Sequence, residues 1–129
     1  MASCAPLLLL VLCALAVAEA QLKLFNLRAS KLHSSFLGLP DGYVKVFLSG
    51  SANLGETSVR DNDRNPWWEE EFTFVNIQEN DTMRLEVYDQ DFGSDDLLGV
   101  CQRHIKLGTH EHECFLEEGG SLHYTYSLS

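Results

Sequence analysis

The stretch most suggestive of chemistry holds four aspartates within eight residues. Asp89, Asp91, Asp95 and Asp96 follow directly after an alternating pattern that is typical of a β-strand. Four carboxylates this close together repel one another unless a multivalent cation neutralises them. Hard oxygen ligands without His or Cys among them suit Ca²⁺ better than zinc or copper. The stretch therefore predicts a calcium site at a strand end, with a solvated acidic turn as the alternative.

The first twenty residues differ in character from the rest. An almost uninterrupted apolar run, residues 7–17, is followed by the small-x-small pattern Ala18-Glu19-Ala20. This run is short for a membrane span, which needs about 20 residues, and the pattern is typical of a secretory signal peptide. We interpret residues 1–20 as a signal peptide and residues 21–129 as one domain of a secreted, extracellular protein. An uncleaved anchor is the alternative.

Two cysteines, Cys101 and Cys114, lie outside the predicted signal peptide. In an oxidising compartment they are expected to form a disulfide. A zinc site is the alternative, because His104, His110 and His112 lie between them. Their spacing matches none of the paired metal-ligand patterns, so the histidines are expected to be solvated loop residues.

The formal net charge of −10 bears on partners. This negative charge argues against nucleic acid as a binding partner. An acidic protein is also repelled from anionic lipid unless bound calcium reverses the sign of one end.

An alternation of apolar and polar residues with a period of two predicts the β-strands that must position these residues. Strands are predicted at residues 22–27, 43–48, 72–75, 83–88 and 122–128, and weaker ones at 56–60, 98–102 and 111–116. No stretch shows apolar residues at helical spacing. Eight short strands in a domain of this size predict an all-β fold, an antiparallel eight-stranded β-sandwich.

Four motifs in order carry a family resemblance. They are Asp41-Gly42-Tyr43-Val44-Lys45-Val46, Asn65-Pro66-Trp67-Trp68, Val87-Tyr88-Asp89-Gln90-Asp91 and Asp95-Asp96-Leu97-Leu98-Gly99. Together they resemble the calcium- and lipid-binding C2 domain family across residues 21–129. The cysteine pair and residues 27–32 resemble the C2 domain of the perforin family in particular. By analogy this suggests immune defence, and 109 residues are expected to leave no room for a pore-forming domain.

The resemblance also implies roles for single residues. In C2 domains, aspartates from the first and third loops at one end of the sandwich hold calcium, and lipid headgroups complete the coordination. The implied ligands here are Asp41, Asp89, Asp91 and Asp96, with Asp95 peripheral and Ser35 weak. Because Ser35 stands where the family has another aspartate, weaker calcium binding is expected.

The same loops carry apolar side chains, namely Phe36, Leu37, Leu39 and Phe92. Solvent-facing loops seldom expose so much apolar surface. The hypothesis is that these residues contact the membrane interior, and the alternative is that they fold inward and cap the sandwich.

Three further sequence features are interpreted without a separate functional site. Asp61 and Asp63 resemble the start of an EF-hand loop, but the required Gly and Glu are missing, so they are at most lining residues of the second loop. One residue of the pair Trp67 and Trp68 is expected in the scaffold, with its neighbour pointing the other way. Asn80 begins a sequon for N-glycosylation, with an unmodified turn as the alternative.

The sequence therefore predicts a secreted, monomeric module that binds phospholipid membranes through calcium. The alternative is a secreted, calcium-stabilised β-sandwich that binds a protein partner. An enzyme is not expected, because the acidic loop has no opposed base or nucleophile that sequence can identify.

Overall fold

The computed structural model describes residues 20–34, 38–49 and 54–129, so the predicted signal peptide lies outside the described residues except for Ala20. Within these ranges the chain forms nine β-strands. They are β1 (Gln21–Ser30), β2 (Gly42–Leu48), β3 (Gly55–Glu56), β4 (Trp67–Trp68), β5 (Phe72–Val75), β6 (Thr82–Asp89), β7 (Asp96–His104), β8 (Gly108–Phe115) and β9 (Ser121–Leu128). None of the described segments is a helix long and apolar enough to cross a membrane.

The strands form two antiparallel sheets. The first sheet has the order β4-β1-β9-β8, with β5 also paired to β1, and the second has the order β3-β2-β6-β7. This confirms the predicted all-β sandwich. The strand that the sequence did not predict is β4, because two residues after a proline are too few to show a period of two.

The alternating pattern places one face of each sheet in the core. Leu22 and Leu24 of β1 are buried, and a bulge between Phe25 and Arg28 then shifts the alternation so that Leu27 and Ala29 also point inward. Such a bulge re-aims the side chains that follow it. Trp68 is among the largest fully buried side chains.

The predicted strand at residues 56–60 is largely wrong. Only β3 and an isolated bridge between Gly42 and Arg60 are present. Between them the Thr57 hydroxyl accepts a hydrogen bond from Val44 N–H at 2.9 Å. A side chain thus takes the place of a backbone acceptor and interrupts the ladder.

A disulfide joins Cys101 of β7 to Cys114 of β8, as the sequence predicts. Each of these strands is an edge of its sheet, so the bond staples the two sheets together. It also removes both thiolates from the alternative zinc site. A closed loop of this size contributes about 3 kcal/mol to stability in the chain-entropy model.

The prediction that the histidines lie in loops is wrong, and of the three only His104 is exposed to solvent as predicted. His104 lies in β7, and His110 and His112 lie in β8. The alternation of β8 turns His110 and His112 inward, where they are half-buried and contact the rings of Tyr126 and Tyr124 at centroid distances of 5.1 and 5.6 Å. Burial lowers the pKa of His112, and Arg103 and His110 lower it further.

Candidate functional site

Three loops meet at one end of the sandwich, which we call the acidic pole. They are the first loop (residues 31–41), the second loop (residues 57–66) and the third loop (residues 90–95). Strand register brings their ends together, because Gly42 lies opposite Asp89 and Asp89 lies opposite Asp96. Asp41, which directly precedes β2, therefore lies beside the last residue of β6.

Hydrogen bonds fix the junction of the first and third loops. The backbone N–H of Asp41 donates to Asp89 Oδ1 at 2.8 Å, and Gln90 N–H donates to the Asp41 carbonyl at 2.8 Å. Two of the predicted ligand positions, Asp41 and Asp89, are thus in direct contact.

The second loop closes onto the first through the backbone. Asn62 N–H donates to Asp41 Oδ1 at 2.7 Å, and Arg60 N–H donates to the Gly42 carbonyl at 2.9 Å. Sequence reasoning missed the contact made by Asn62. The available signal was the residue type, since Asn tolerates the left-handed conformation that Asn62 adopts at φ 53°.

The two aspartates of the second loop, Asp61 and Asp63, differ in their surroundings. Asp63 Oδ1 accepts a hydrogen bond from Asn65 N–H at 2.8 Å, and Asp63 N–H donates to the Pro40 carbonyl at 3.0 Å. Asp61 lies in an exposed turn. Asp63 therefore shapes the loop with its carboxylate.

The third loop is held by its own carboxylates. Asp95 Oδ1 accepts from Asp91 N–H at 3.1 Å, and Asp91 Oδ1 accepts from Phe92 N–H at 2.8 Å. The Tyr43 hydroxyl donates to Asp95 Oδ2, and this bond, with that from Asp91 N–H, holds the pKa of Asp95 below its ordinary value. Sequence reasoning missed Tyr43, which lies on β2 and lacks any local motif with Asp95.

Like charges crowd around Asp89, which is only 6% exposed. Burial raises the pKa of this carboxyl, and the charges of Asp41, Asp91 and Asp96 raise it further, against the opposing hydrogen bond from Asp41 N–H. A buried carboxylate with three acidic neighbours is stabilised by a nearby cation. The donor set is made of hard oxygens, which fits Ca²⁺.

The present side-chain orientations do not form a closed coordination shell. Across residues 20–34, 38–49 and 54–129, no three Asp, Glu, His or Cys side chains lie together closely enough to hold a metal ion. Instead, the carboxylates of Asp41, Asp89, Asp91 and Asp95 each accept a backbone N–H. The assignment of Asp41, Asp89, Asp91, Asp95 and Asp96 as metal ligands stays a prediction, and Ser35 lies outside the described residues.

Two open cavities border these side chains. One of about 200 Å³ lies between the first and third loops and is lined by residues that include Asp41, Asn62, Asp89 and Asp91. The other, of about 390 Å³, is lined by Asp41, Gln90, Asp91, Phe92 and Asp95. Asp41 and Asp91 contribute to both, so both cavities have carboxylates facing open space.

Apolar side chains project from the same pole. Phe92 is fully exposed, and Leu39 is 45% exposed. Neither folds inward to cap the sandwich. Phe36 and Leu37 lie outside the described residues.

A family model described as the C2 domain matches residues 20–121. The chain belongs to the C2 domain family. C2 domains typically bind calcium and lipid and are generally not catalytic.

Relatives agree with this assignment. The C2 domain is 39% identical to Perforin-1 of Homo sapiens over 103 residues, which are 78% of this chain and 18% of that protein. The chain spans about a fifth of the length of the perforins it matches.

Solved structures show the same fold. One titled "Structure of a C2 domain" is 64% identical, with a TM-score of 0.81, over 85% of this chain and 98% of that chain. Calcium-bound Extended-Synaptotagmin 2 is 20% identical, with a TM-score of 0.73, over 84% of this chain and 45% of that chain. The latter likeness shows the fold alone.

Proposed function

We propose that this C2 domain is a secreted, extracellular module that associates peripherally with phospholipid membranes in the presence of calcium. In this proposal residues 1–20 are a signal peptide and residues 21–129 are the mature, monomeric, non-catalytic domain. The observation that carries the proposal is the meeting of several carboxylates and an exposed phenylalanine, Phe92, at one pole of the sandwich.

The acidic side chains have the role of holding calcium. Asp41, Asp89, Asp91 and Asp96 would be ligands, with Asp95 peripheral and Ser35 weak. Bound calcium supplies positive charge that neutralises these carboxylates and attracts lipid phosphate. Asp89 and Asp41 define the centre of the site because the bonds from Asp41 N–H to Asp89 Oδ1 and from Asn62 N–H to Asp41 Oδ1 join the three loops there.

The apolar loop residues have the role of anchoring the docked domain. Phe92 and Leu39 extend from the acidic pole, and Phe36 and Leu37 belong to the same first loop by sequence. Transfer of one Phe or Leu side chain out of water contributes roughly 1.5 to 3 kcal/mol. Two insertions therefore strengthen binding substantially even when calcium binds weakly.

Membership of the C2 domain family supports a calcium-dependent role, because C2 domains typically bind calcium and lipid. Extracellular calcium sites function with dissociation constants of about 10⁻⁴ to 10⁻³ M. A site with a serine in place of one aspartate is compatible with that range.

A second candidate function follows from the net charge. The formal charge of −10 favours a basic protein partner, with calcium serving only to order the loops. Calorimetry separates the two functions, since calcium binding without any response to lipid would favour the protein partner.

A vesicle sedimentation assay tests the main proposal. The purified protein is mixed with vesicles of phosphatidylcholine and phosphatidylserine, in calcium and then in excess chelator. Sedimentation in calcium and its loss in chelator are expected. Sedimentation that ignores the chelator, or none in either condition, would contradict the proposal.

A separate measurement tests secretion. The chain is expressed from its first methionine in mammalian cells, and the protein in the medium is sequenced from its N-terminus. The expected first residue is Gln21. Retention in the cell membrane with Met1 intact would contradict the predicted cleavage.

A further inference from the structure

Positive charge is concentrated at one corner of this acidic molecule. The sequence has nine Lys and Arg residues against nineteen Asp and Glu residues. Four of the nine lie around the short strand β4 and the loop ends beside it: Arg28, Lys31, Arg60 and Arg64. We call Arg28, Lys31, Arg64 and the adjacent Trp67 the basic shoulder, with Arg60 at its edge.

Backbone pairing holds the shoulder together. Arg28 of β1 lies opposite Trp67 of β4. Lys31 N–H donates to Asn65 Oδ1 at 2.9 Å, and Leu32 N–H donates to the Arg64 carbonyl at 2.8 Å. Residues from the start of the first loop and the end of the second loop are thus joined at one side of the acidic pole.

Strand geometry turns the shoulder outward. The bulge in β1 buries Leu27 and Ala29, so Arg28 between them faces solvent. In β4, Trp68 is 1% exposed in the core, and alternation leaves Trp67 55% exposed on the outer face of the first sheet. The amphipathic ring of Trp67 is therefore exposed to solvent beside the guanidinium group of Arg28.

The shoulder cations are exposed, and the ion pairs found in the described part of the chain lie elsewhere. Those pairs are Lys23–Glu71, Arg84–Glu86 and His123–Glu113. Arg60 is half-buried and acts within the corner, where its Nε donates to the Trp67 carbonyl at 3.0 Å. Against the effect of burial, hydrogen bonds from Ser58 lower the pKa of Glu70, and the charge of Arg60 lowers it further. Arg28 Nη1 and Arg64 Nη1 donate to the carbonyls of Asn26 and Leu32 at 3.5 and 3.3 Å, but neither side chain is in an ion pair within the described ranges. Arg28, Lys31 and Arg64 are exposed and are therefore the cations available to an external anion.

The chemistry of the shoulder matches an anionic membrane surface. Guanidinium and ammonium groups bind phosphate oxygens, and Trp rings favour the boundary between headgroups and acyl chains. Basic residues close to an acidic leaflet are attracted to it over about a Debye length. In a molecule with a net charge of −10, such a local cluster adds to bound calcium in offsetting the repulsion from that surface.

We propose that the basic shoulder contacts anionic phospholipid headgroups when the acidic pole docks. The domain then lies tilted, with the second loop and the outer face of β1 and β4 turned towards the bilayer. This inference rests on the proposed membrane function and adds to it a second contact surface and a preferred class of lipid.

Two charge-matched double variants test the electrostatic part. Arg28→Gln with Lys31→Gln removes two cations from the shoulder, and Arg103→Gln with Lys106→Gln removes the same two residue types from the opposite end of the sandwich. Binding to phosphatidylcholine–phosphatidylserine vesicles is measured in calcium over a range of salt concentrations. The shoulder variant should lose about fivefold in affinity for each cation removed and show a weaker salt dependence.

The control variant should stay close to the wild type, and both should keep the wild-type calcium midpoint without lipid. Equal losses in the two variants, or a loss in neither, would overturn the shoulder proposal while leaving calcium-dependent docking intact. If the wild type itself fails to sediment in calcium, the proposed function and this inference fall together.

Tryptophan fluorescence tests the contact itself. The chain has two tryptophans, and Trp68 is buried, so Trp67→Phe leaves only a core reporter. Brominated anionic lipid should quench the wild type in calcium and leave Trp67→Phe unquenched. Equal quenching of both proteins, or no quenching of a wild type that sediments, would overturn the proposal.

Discussion

The two ends of strands β6 and β7 satisfy their polar groups in different ways. At the acidic pole, neighbouring carboxylates accept backbone N–H groups, and the charges of Asp41, Asp91 and Asp96 add to burial in raising the pKa of Asp89. At the opposite end, Lys106 Nζ donates to Asn80 Oδ1, and the Thr82 hydroxyl lies 3.2 Å from His104 Nδ1. Glu79 and Asp81 at the opposite end also accept backbone N–H groups, but that end carries the cations Arg103 and Lys106 as well, whereas negative charges crowd together at the acidic pole.

Backbone hydrogen bonds also join the turns at the opposite end to each other. Asn80 N–H donates to the Ile105 carbonyl at 2.7 Å, and Ile105 N–H donates to the Asp81 carbonyl at 2.9 Å. Two turns thus close on each other without an external group. One end therefore completes the fold with its own groups, and the other keeps like charges in contact, as the proposed calcium site requires.

Removing two carboxylates from the acidic pole should have the largest effect. Asp89→Asn with Asp91→Asn keeps the side-chain shape but removes two charges from the proposed calcium site. Calcium-dependent sedimentation with vesicles should be abolished. The matched control, Glu79→Gln with Asp81→Asn at the opposite end, should sediment like the wild type, and a comparable loss there would break the distinction between the two ends.

Removing the exposed aromatic ring should have the next largest effect. Phe92→Ala should weaken vesicle binding by roughly 1.5 to 3 kcal/mol, because the ring leaves water on docking. Leu107→Ala removes a side chain that is 57% exposed at the opposite end and should change nothing. Calorimetry without lipid should give an unchanged calcium midpoint for Phe92→Ala, and a large shift there would mean that the ring supports the loop instead.

Chelation should lower the thermal stability of the protein. A ligand at ten times its dissociation constant stabilises the folded state by about 1.4 kcal/mol. For a domain of this size that corresponds to a fall in Tm of several degrees on adding chelator, measured by calorimetry. The Asp89→Asn, Asp91→Asn variant should melt at the same temperature with and without calcium.

The smallest expected effect concerns the hydroxyl that holds Asp95. Tyr43→Phe removes the hydrogen bond to Asp95, and Tyr88→Phe removes the 2.6 Å bond to Glu86 Oε1 on the same sheet. Each should reduce the free energy of unfolding by about 0.5 to 1.5 kcal/mol. The calcium midpoint should change for Tyr43→Phe alone, and equal midpoints for both variants would remove Asp95 from the site.

Local pattern explains why the sheets were predictable and some contacts were not. Alternation identifies β6 and β9 because one face of each is buried along the whole strand. The bond from Asn62 to Asp41 and that from Tyr43 to Asp95 join residues far apart in sequence, so no local pattern marks them. The polar residue type of His110 and His112 predicts a solvated loop, whereas the alternation of β8 turns both side chains inward.

The contacts of the acidic loop were also beyond what local sequence patterns can predict. Four aspartates in eight residues predict a cation site, which stays a prediction. Which oxygens face one another depends on the register of β2, β6 and β7, which sequence spacing does not specify. Register also explains why Asp41, distant in sequence, contacts Asp89.

A calcium titration followed by amide nuclear magnetic resonance tests the central claim most directly. If carboxylates of the acidic pole turn from backbone N–H groups towards a bound ion, the amides of Asp41, Asn62 and Phe92 should show large, saturable shifts. Amides of residues 79–82 and 104–107 should stay in place. No saturable shift, or the largest shifts at the opposite end, would contradict the account.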